Sequence, residues 1–212
     1  MTDHDSFTVT SLAGAIAEGS TSAQAVAEDV LERCARHAHL NALIYQDADQ
    51  LLEAARAADK QRAAGKALGP LHGVPILIKD NIDVAGIPNS AGTPALESDI
   101  PEHHAPVVQR LLDAGALIAG KANLYELAVG GSSFNQHFGA VKNPWDTTRM
   151  PGGSSSGPAA AVAARMAPAA LGTDTNGSVR GPCALSGIAG LRPSYQRYPF
   201  GGVMPSTPTR DA

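Results

Sequence analysis

Three stretches of this sequence hold residue types able to do chemistry together. They are Lys79, in Ile76-Leu77-Ile78-Lys79-Asp80-Asn81; the serines of Gly152-Gly153-Ser154-Ser155-Ser156-Gly157; and Ser178, which closes Gly172-Thr173-Asp174-Thr175-Asn176-Gly177-Ser178. Lys79 follows five apolar residues, Val74 to Ile78, so its ammonium is driven toward buried surroundings. Loss of hydration lowers a lysine's pKa, and the neutral amine is a base. A salt bridge to a buried carboxylate, Asp80 or Asp174, accounts for the same lysine, and residue type alone favours it. At Ser178 a small-residue strand ends in a polar turn that opens a helix. Such a turn aims several backbone N–H groups at one point beside the hydroxyl, as an oxyanion hole requires. An ordinary capped helix with Ser178 in its first turn is slightly favoured on the same grounds.

Other chemistries are excluded by spacing. Gly153-Ser154-Ser155-Ser156-Gly157 matches G-x-S-x-G in form, but that motif needs a strand directly before it, and NPWDTTRMP is not one. No G-K-[ST] follows, so a phosphate loop fails on residue type. None of the five lysines has a serine three residues before it, which removes the Ser-x-x-Lys arrangement. The seven histidines show no zinc-protease or deaminase spacing, and C-x-x-C and H-E-x-x-H are absent. No metal and no cofactor are expected.

These groups need a scaffold to bring them together. Residues 20–38 predict a helix, with Ser20, Thr21 or Ser22 as cap and Ala23, Val26, Ala27, Val30, Leu31 and Cys34 on one stripe. A second helix starts near Asp47, with Leu51, Leu52, Ala55 and Ala58 on one face and Gly65 as its stop. Val74–Ile78 predicts a buried strand leading into Lys79, and 86–101 a loop. Residues 105–114 predict a helix ended by Gly115, and 116–119 a strand that delivers Lys121 and Asn123. A short helix near 125–129 and a long loop from 130 to 150 follow. An Ala-rich helix runs from Pro158 to about Met166, then a strand over 169–173, the turn 174–177, a short helix from Ser178-Val179, and a last strand over 187–191. Alternating strands and helices imply an α/β layer structure with a largely buried sheet.

Composition sets the outer bounds. The chain has 212 residues, a formal net charge of −4 and no basic stripe, so direct nucleic-acid binding is not expected. No apolar stretch reaches the roughly 20 residues of a membrane span. The N-terminus lacks a basic segment followed by an apolar one, so no signal peptide is read. With only Cys34 and Cys183 as thiols, a reducing cytoplasm is the expected compartment.

The sequence resembles the amidase signature family. The likeness is carried by PLHGVPILIKDNIDVAGIPNSAGTPAL (70–96), by NPWDTTRMPGGSSSGPAAAVAARMAPAALGTDTNGSVRGPCALSGIAGLRPS (143–194) and by GGVMPSTPTRD (201–211). These blocks occur in the family's order and spacing, in one register from about residue 8 onward. The flavour is nearest to indoleacetamide- and mandelamide-type amidases. The resemblance implies a mixed, mostly buried central sheet with helices on both faces, incomplete in this chain. Residues 1–212 would be the N-terminal part of a single domain, with a helical lead-in (1–66) and a catalytic core segment (67–212).

The resemblance also implies a Ser-Ser-Lys triad of Ser178 as nucleophile, Ser154 as middle serine after a cis peptide bond, and Lys79 as base. Backbone amides of Thr175, Asn176, Gly177 and Ser178 would hold the oxyanion, Ser155 would join the hydrogen-bond network, and Asp174 and Arg180 would brace the loop. The implied reaction is hydrolysis of a small carboxamide through an acyl-Ser178 intermediate. One alternative is a tRNA-dependent amidotransferase subunit that frees ammonia from glutamine with partner subunits. Another is a truncated, non-catalytic fragment. A homodimer is compatible with the first. Three departures from the family stand out. Asn176 occupies a position where many members have glycine, and asparagine tolerates left-handed dihedrals. Gly181 replaces a bulky apolar residue before Pro182, which should leave a hole, either loosening the core or enlarging the acyl pocket. Family members are also about twice as long.

Overall fold

Helix N-termini in this chain are closed by side chains that accept from otherwise unpaired amides. The computed structural model describes residues 7–212; residues 1–6, on which part of the N-terminal reading rests, lie outside it. Helix α1 spans Val9–Glu18, and Thr8 and Ser11 cap it reciprocally. Helix α2 spans Ala23–Arg36, and its cap Ser22 accepts from the Ala25 N–H. The Asp59 carboxylate also accepts from the Ala23 and Gln24 amides, at 2.8 and 3.0 Å, placing negative charge at the positive end of the helix. Asp59 lies in α3 (Ala48–Ala63), whose own cap is Asp47. The expected stripe of α2 is buried except for Leu31, which is half-buried.

Strands β1 (Leu43–Tyr45), β2 (Pro75–Lys79), β3 (Leu117–Ala122) and β4 (Ala170–Leu171) form one sheet in the order β1-β3-β2-β4. β2 runs parallel to both β3 and β4, while β1 is antiparallel to β3. Helix α4 (Pro106–Asp113) links β2 to β3, and α5 (Ser156–Ala163) precedes β4. The side-chain period of two splits β2 between two cores. Leu77 packs with residues of α2, α3 and α5, such as Val30, Leu51 and Ala160. Ile76 and Ile78 pack on the opposite face with Val108 of α4 and with Ile82. Helices therefore cover both faces of a mixed α/β sheet. Each fully buried leucine or isoleucine in these layers is worth about 1.5–3 kcal/mol over exposure.

Two elements were not expected from the sequence, and one expected strand is absent. Helix α1 has no counterpart in the sequence reading, although Thr8 caps it and Val9, Leu12, Ala13 and Ile16 recur at helical spacing and pack on the two cores. β1 is three residues long, too short for an alternation to register. Residues 187–191 are not a strand. Gly187 is the left-handed cap of α6 (Arg180–Ser186), and the Ile188 N–H returns to the Cys183 carbonyl, so the chain folds back along the helix. Among the described residues β4 is thus an edge, and beside it lies a cleft of about 380 Å³ lined by Ile82, Pro158, Leu171, Ile188 and Phe200. Among the same residues no helix is long and apolar enough to cross a membrane.

Candidate active site

Lys79 is the last residue of β2, a strand buried at all five positions, and it is itself wholly buried. It shares the parity of Leu77, which aims it at the α5 side of the sheet. Its Nζ lies 2.8 Å from Ser154 Oγ and 2.7 Å from Thr173 Oγ1. Burial pushes its pKa down to about 7, against an opposing pull from the Asp174 charge. The salt bridge considered from the sequence does not form. Asp80 pairs instead with Lys121 of β3 at 2.9 Å, both groups buried. Lys121 also donates to Pro88 O and Asn89 Oδ1. Asp174 pairs with arginines.

Ser154 is wholly buried, and the Gly153–Ser154 peptide bond is cis. Gly153 is required by space, since a Cβ there would collide with the Ser132 carbonyl. The Ser154 carbonyl accepts from the Tyr125 N–H at 3.1 Å, and the Ser155 N–H donates to the Ser178 carbonyl at 3.1 Å. Ser155 Oγ donates to the Thr173 carbonyl and accepts from the Thr173 N–H. The start of α5 and the end of β4 are thereby stitched together through one side chain.

The loop carrying Ser178 is built around Asp174, whose carboxylate is 1% exposed. It accepts from the amides of Gly177, Val179 and Arg180, and from Arg180 Nε and Nη2, both at 3.0 Å. Burial alone would raise its pKa; the Arg180 guanidinium and the three amides outweigh that and hold the carboxyl well below its usual range. Arg192 Nε reaches the same carboxylate at 3.3 Å. The Gly177 N–H is therefore bound to Asp174 rather than free. The amides of Thr175, Asn176 and Ser178 make no hydrogen bond among the described residues. Nor does Ser178 Oγ, so the structure joins Lys79 to Ser154 and brings Ser178 to the neighbouring loop without linking the two serine hydroxyls.

Two of the three departures can be placed in the structure. The left-handed position of the turn is Gly177, with φ +114°; Asn176 is exposed and does not adopt a positive φ. Gly181 is also exposed, and a Cβ there would meet nothing within 4 Å. The missing side chain leaves open surface, not a hole in the core. Thr173, Arg192 and Asp211 escaped the sequence reading. Thr173 could have been found from its place at the end of the strand leading into the serine loop. Arg192 and Asp211 lie in the 143–194 and 201–211 blocks, but that they reach the serine loop is set only by the fold.

Comparison with known proteins gives the family. The amidase family model matches residues 25–212, and the chain belongs to the amidase family. It is 49% identical over 189 residues to a glutamyl-tRNA(Gln) amidotransferase subunit from Acidothermus cellulolyticus, covering 89% of this chain and 37% of that protein. It is 48% identical to the Chloroflexus aurantiacus protein of the same name, covering 96% and 42%. Among solved structures, the native peptide amidase of Stenotrophomonas maltophilia superimposes with a TM-score of 0.92 at 37% identity, covering 97% of this chain and 44% of that one. The chain thus spans less than half the length of the relatives it matches.

Proposed function

We propose that this chain carries the nucleophile, relay and base of an enzyme that hydrolyses carboxamides. The observation that carries the proposal is the Lys79–Ser154 contact of 2.8 Å, wholly buried and without a carboxylate on the lysine. A lysine with a pKa of about 7 is half neutral near neutral pH. Neutral Lys79 takes the proton of Ser154, Ser154 takes that of Ser178, and Ser178 Oγ attacks the amide carbon. The relay needs a Ser178–Ser154 hydrogen bond in the substrate complex, and such bonds often tighten only there. The amides of Thr175, Asn176 and Ser178 hold the oxyanion, while the Gly177 amide, bound to Asp174, shapes the turn. The relay then protonates the leaving amine, and water releases the acyl group from Ser178.

The test is ammonia release from small primary amides, with Ser178→Ala beside the wild-type chain. Activity that survives this substitution unchanged overturns the assignment. The relatives named as amidotransferase subunits favour a second reading, in which the amide is the side chain of glutamine and the ammonia passes to a partner protein. Glutamine-dependent ammonia release that requires co-purified partners selects it.

A further inference from the structure

The Ser178 loop is held from behind by a clasp that the proposed chemistry does not use. Arg192 Nε donates to the Asp174 carbonyl at 3.2 Å and lies 3.3 Å from its carboxylate, while its Nη2 donates to the Arg210 carbonyl at 2.5 Å. One guanidinium thus bridges the loop and the segment 206–212. The segment adds its own ties. Asp174 and Ala212 exchange backbone hydrogen bonds at 2.6 and 3.2 Å. Thr175 Oγ1 donates to Asp211, whose carboxylate also accepts from the Ser206 and Thr207 amides.

We infer that Arg192 is a positioning residue for the Lys79–Ser154–Ser178 relay: it fastens the Asp174 end of the serine loop to the 206–212 turn and, beside Arg180, offsets part of the Asp174 charge that acts on Lys79. This rests on the proposed role of Lys79. Arg180 and Arg192 both pair with Asp174, but they are not equivalent. The Arg180 side chain is 55% exposed and that of Arg192 is 21% exposed, so water screens Arg180 more. The charged groups around Lys79 are few. Asp174 faces it from the serine loop, with Arg180 of α6 and Arg192 on that carboxylate. The Asp80–Lys121 pair closes the end of β2 against β3, and Asp211 faces the loop from the 206–212 turn. Cys183 of α6 is buried, and burial together with the Asp174 charge pushes its thiol up, so it stays uncharged. Ser154 and Thr173, which touch the Lys79 nitrogen, are neutral.

The test is the titration of Lys79 itself, followed by NMR of the chain labelled with ¹³Cε-lysine and assigned with Lys79→Met. It needs no substrate. Arg192→Gln removes one of the two cations on Asp174 and leaves Arg180, so the Lys79 midpoint should rise, by up to roughly one pH unit. Asp174→Asn should move it the opposite way. Arg192→Lys keeps the charge and should keep the midpoint near that of the wild type, while losing the bridge to Arg210. A wild-type midpoint near 10 would overturn the neutral-lysine reading and this inference with it. A wild-type midpoint near 7 that Arg192→Gln leaves in place, in a chain still folded by its amide spectrum, would overturn the role of Arg192 alone.

Discussion

Lys79 and Lys121 are both wholly buried, on strands that pair side by side, yet only Lys121 has a carboxylate partner. Lys79 meets two hydroxyls instead, Ser154 and Thr173. A buried ammonium without a counter-charge favours its neutral form, whereas a paired one resists that change. Burial lowers the pKa of both, but in Lys121 the Asp80 carboxylate works against it at contact distance. One lysine is thereby suited to moving protons and the other to holding structure.

The proposed base implies a pH dependence with a definite sign. Below about pH 7 Lys79 is charged and cannot accept a proton. Acylation of Ser178 should therefore rise about tenfold per pH unit below 7 and level off above it. Labelling of Ser178 by a fluorophosphonate, measured from pH 5 to 9, checks this. In Lys79→Met the rising limb should vanish along with most of the rate.

The middle serine should matter nearly as much as the nucleophile. Ser154→Ala leaves Ser178 in place but removes the only hydroxyl that joins it to Lys79 in the proposed relay. The expected loss is about 10²–10⁴-fold in kcat, with a smaller effect on KM. Steady-state kinetics on a primary amide separates the two.

The Asp80–Lys121 pair makes a stability cycle. Lys121→Met and Asp80→Asn should each cost about 3–5 kcal/mol, because each leaves one buried group without its partner. The double variant should recover much of that loss. Urea denaturation of the four chains decides it, and strict additivity would show that the pair is not coupled.

Gly153→Ala tests the fit of the serine loop. The added methyl meets the Ser132 carbonyl, so one of the two backbones must move. A loss of about 1–3 kcal/mol is expected, with a fall in Ser178 labelling larger than the loss of folded protein explains. Gly181→Ala, whose methyl would enter open space, is the matched control and should change neither.

How much of this was legible in the sequence follows from where each signal lies. Helices α2 and α3 announced themselves because their stripes are long and their caps, Ser22 and Asp47, sit directly before them. The strand before Lys79 was legible as an apolar run broken by a charge. What the residues alone left open was the partner of Lys79: Asp80 and Asp174 were both available in sequence, and only the fold shows each already engaged by arginine or by Lys121. The effects of Asn176 and Gly181 stayed open in the sequence for a related reason. Both questions concern which way a position faces, and a turn of five residues has no periodicity to reveal it. The false strand at 187–191 was an apolar run whose direction is set by a single left-handed glycine.

The alternation of β2 has a consequence for how this sequence tolerates change. Leu77 and Lys79 look toward one side of the sheet, Ile76 and Ile78 toward the other. Deleting one residue from the run before Lys79 would exchange the two sets. An ammonium would then be pressed among the side chains of the α4 layer, and an isoleucine would stand where the serines wait. Substitutions within the strand trade one hydrophobic shape for another, but a shift of frame by one residue moves the chemistry to the wrong side of the wall. The strand is therefore a counted distance as well as a packed surface, free to vary in composition and held to a single length.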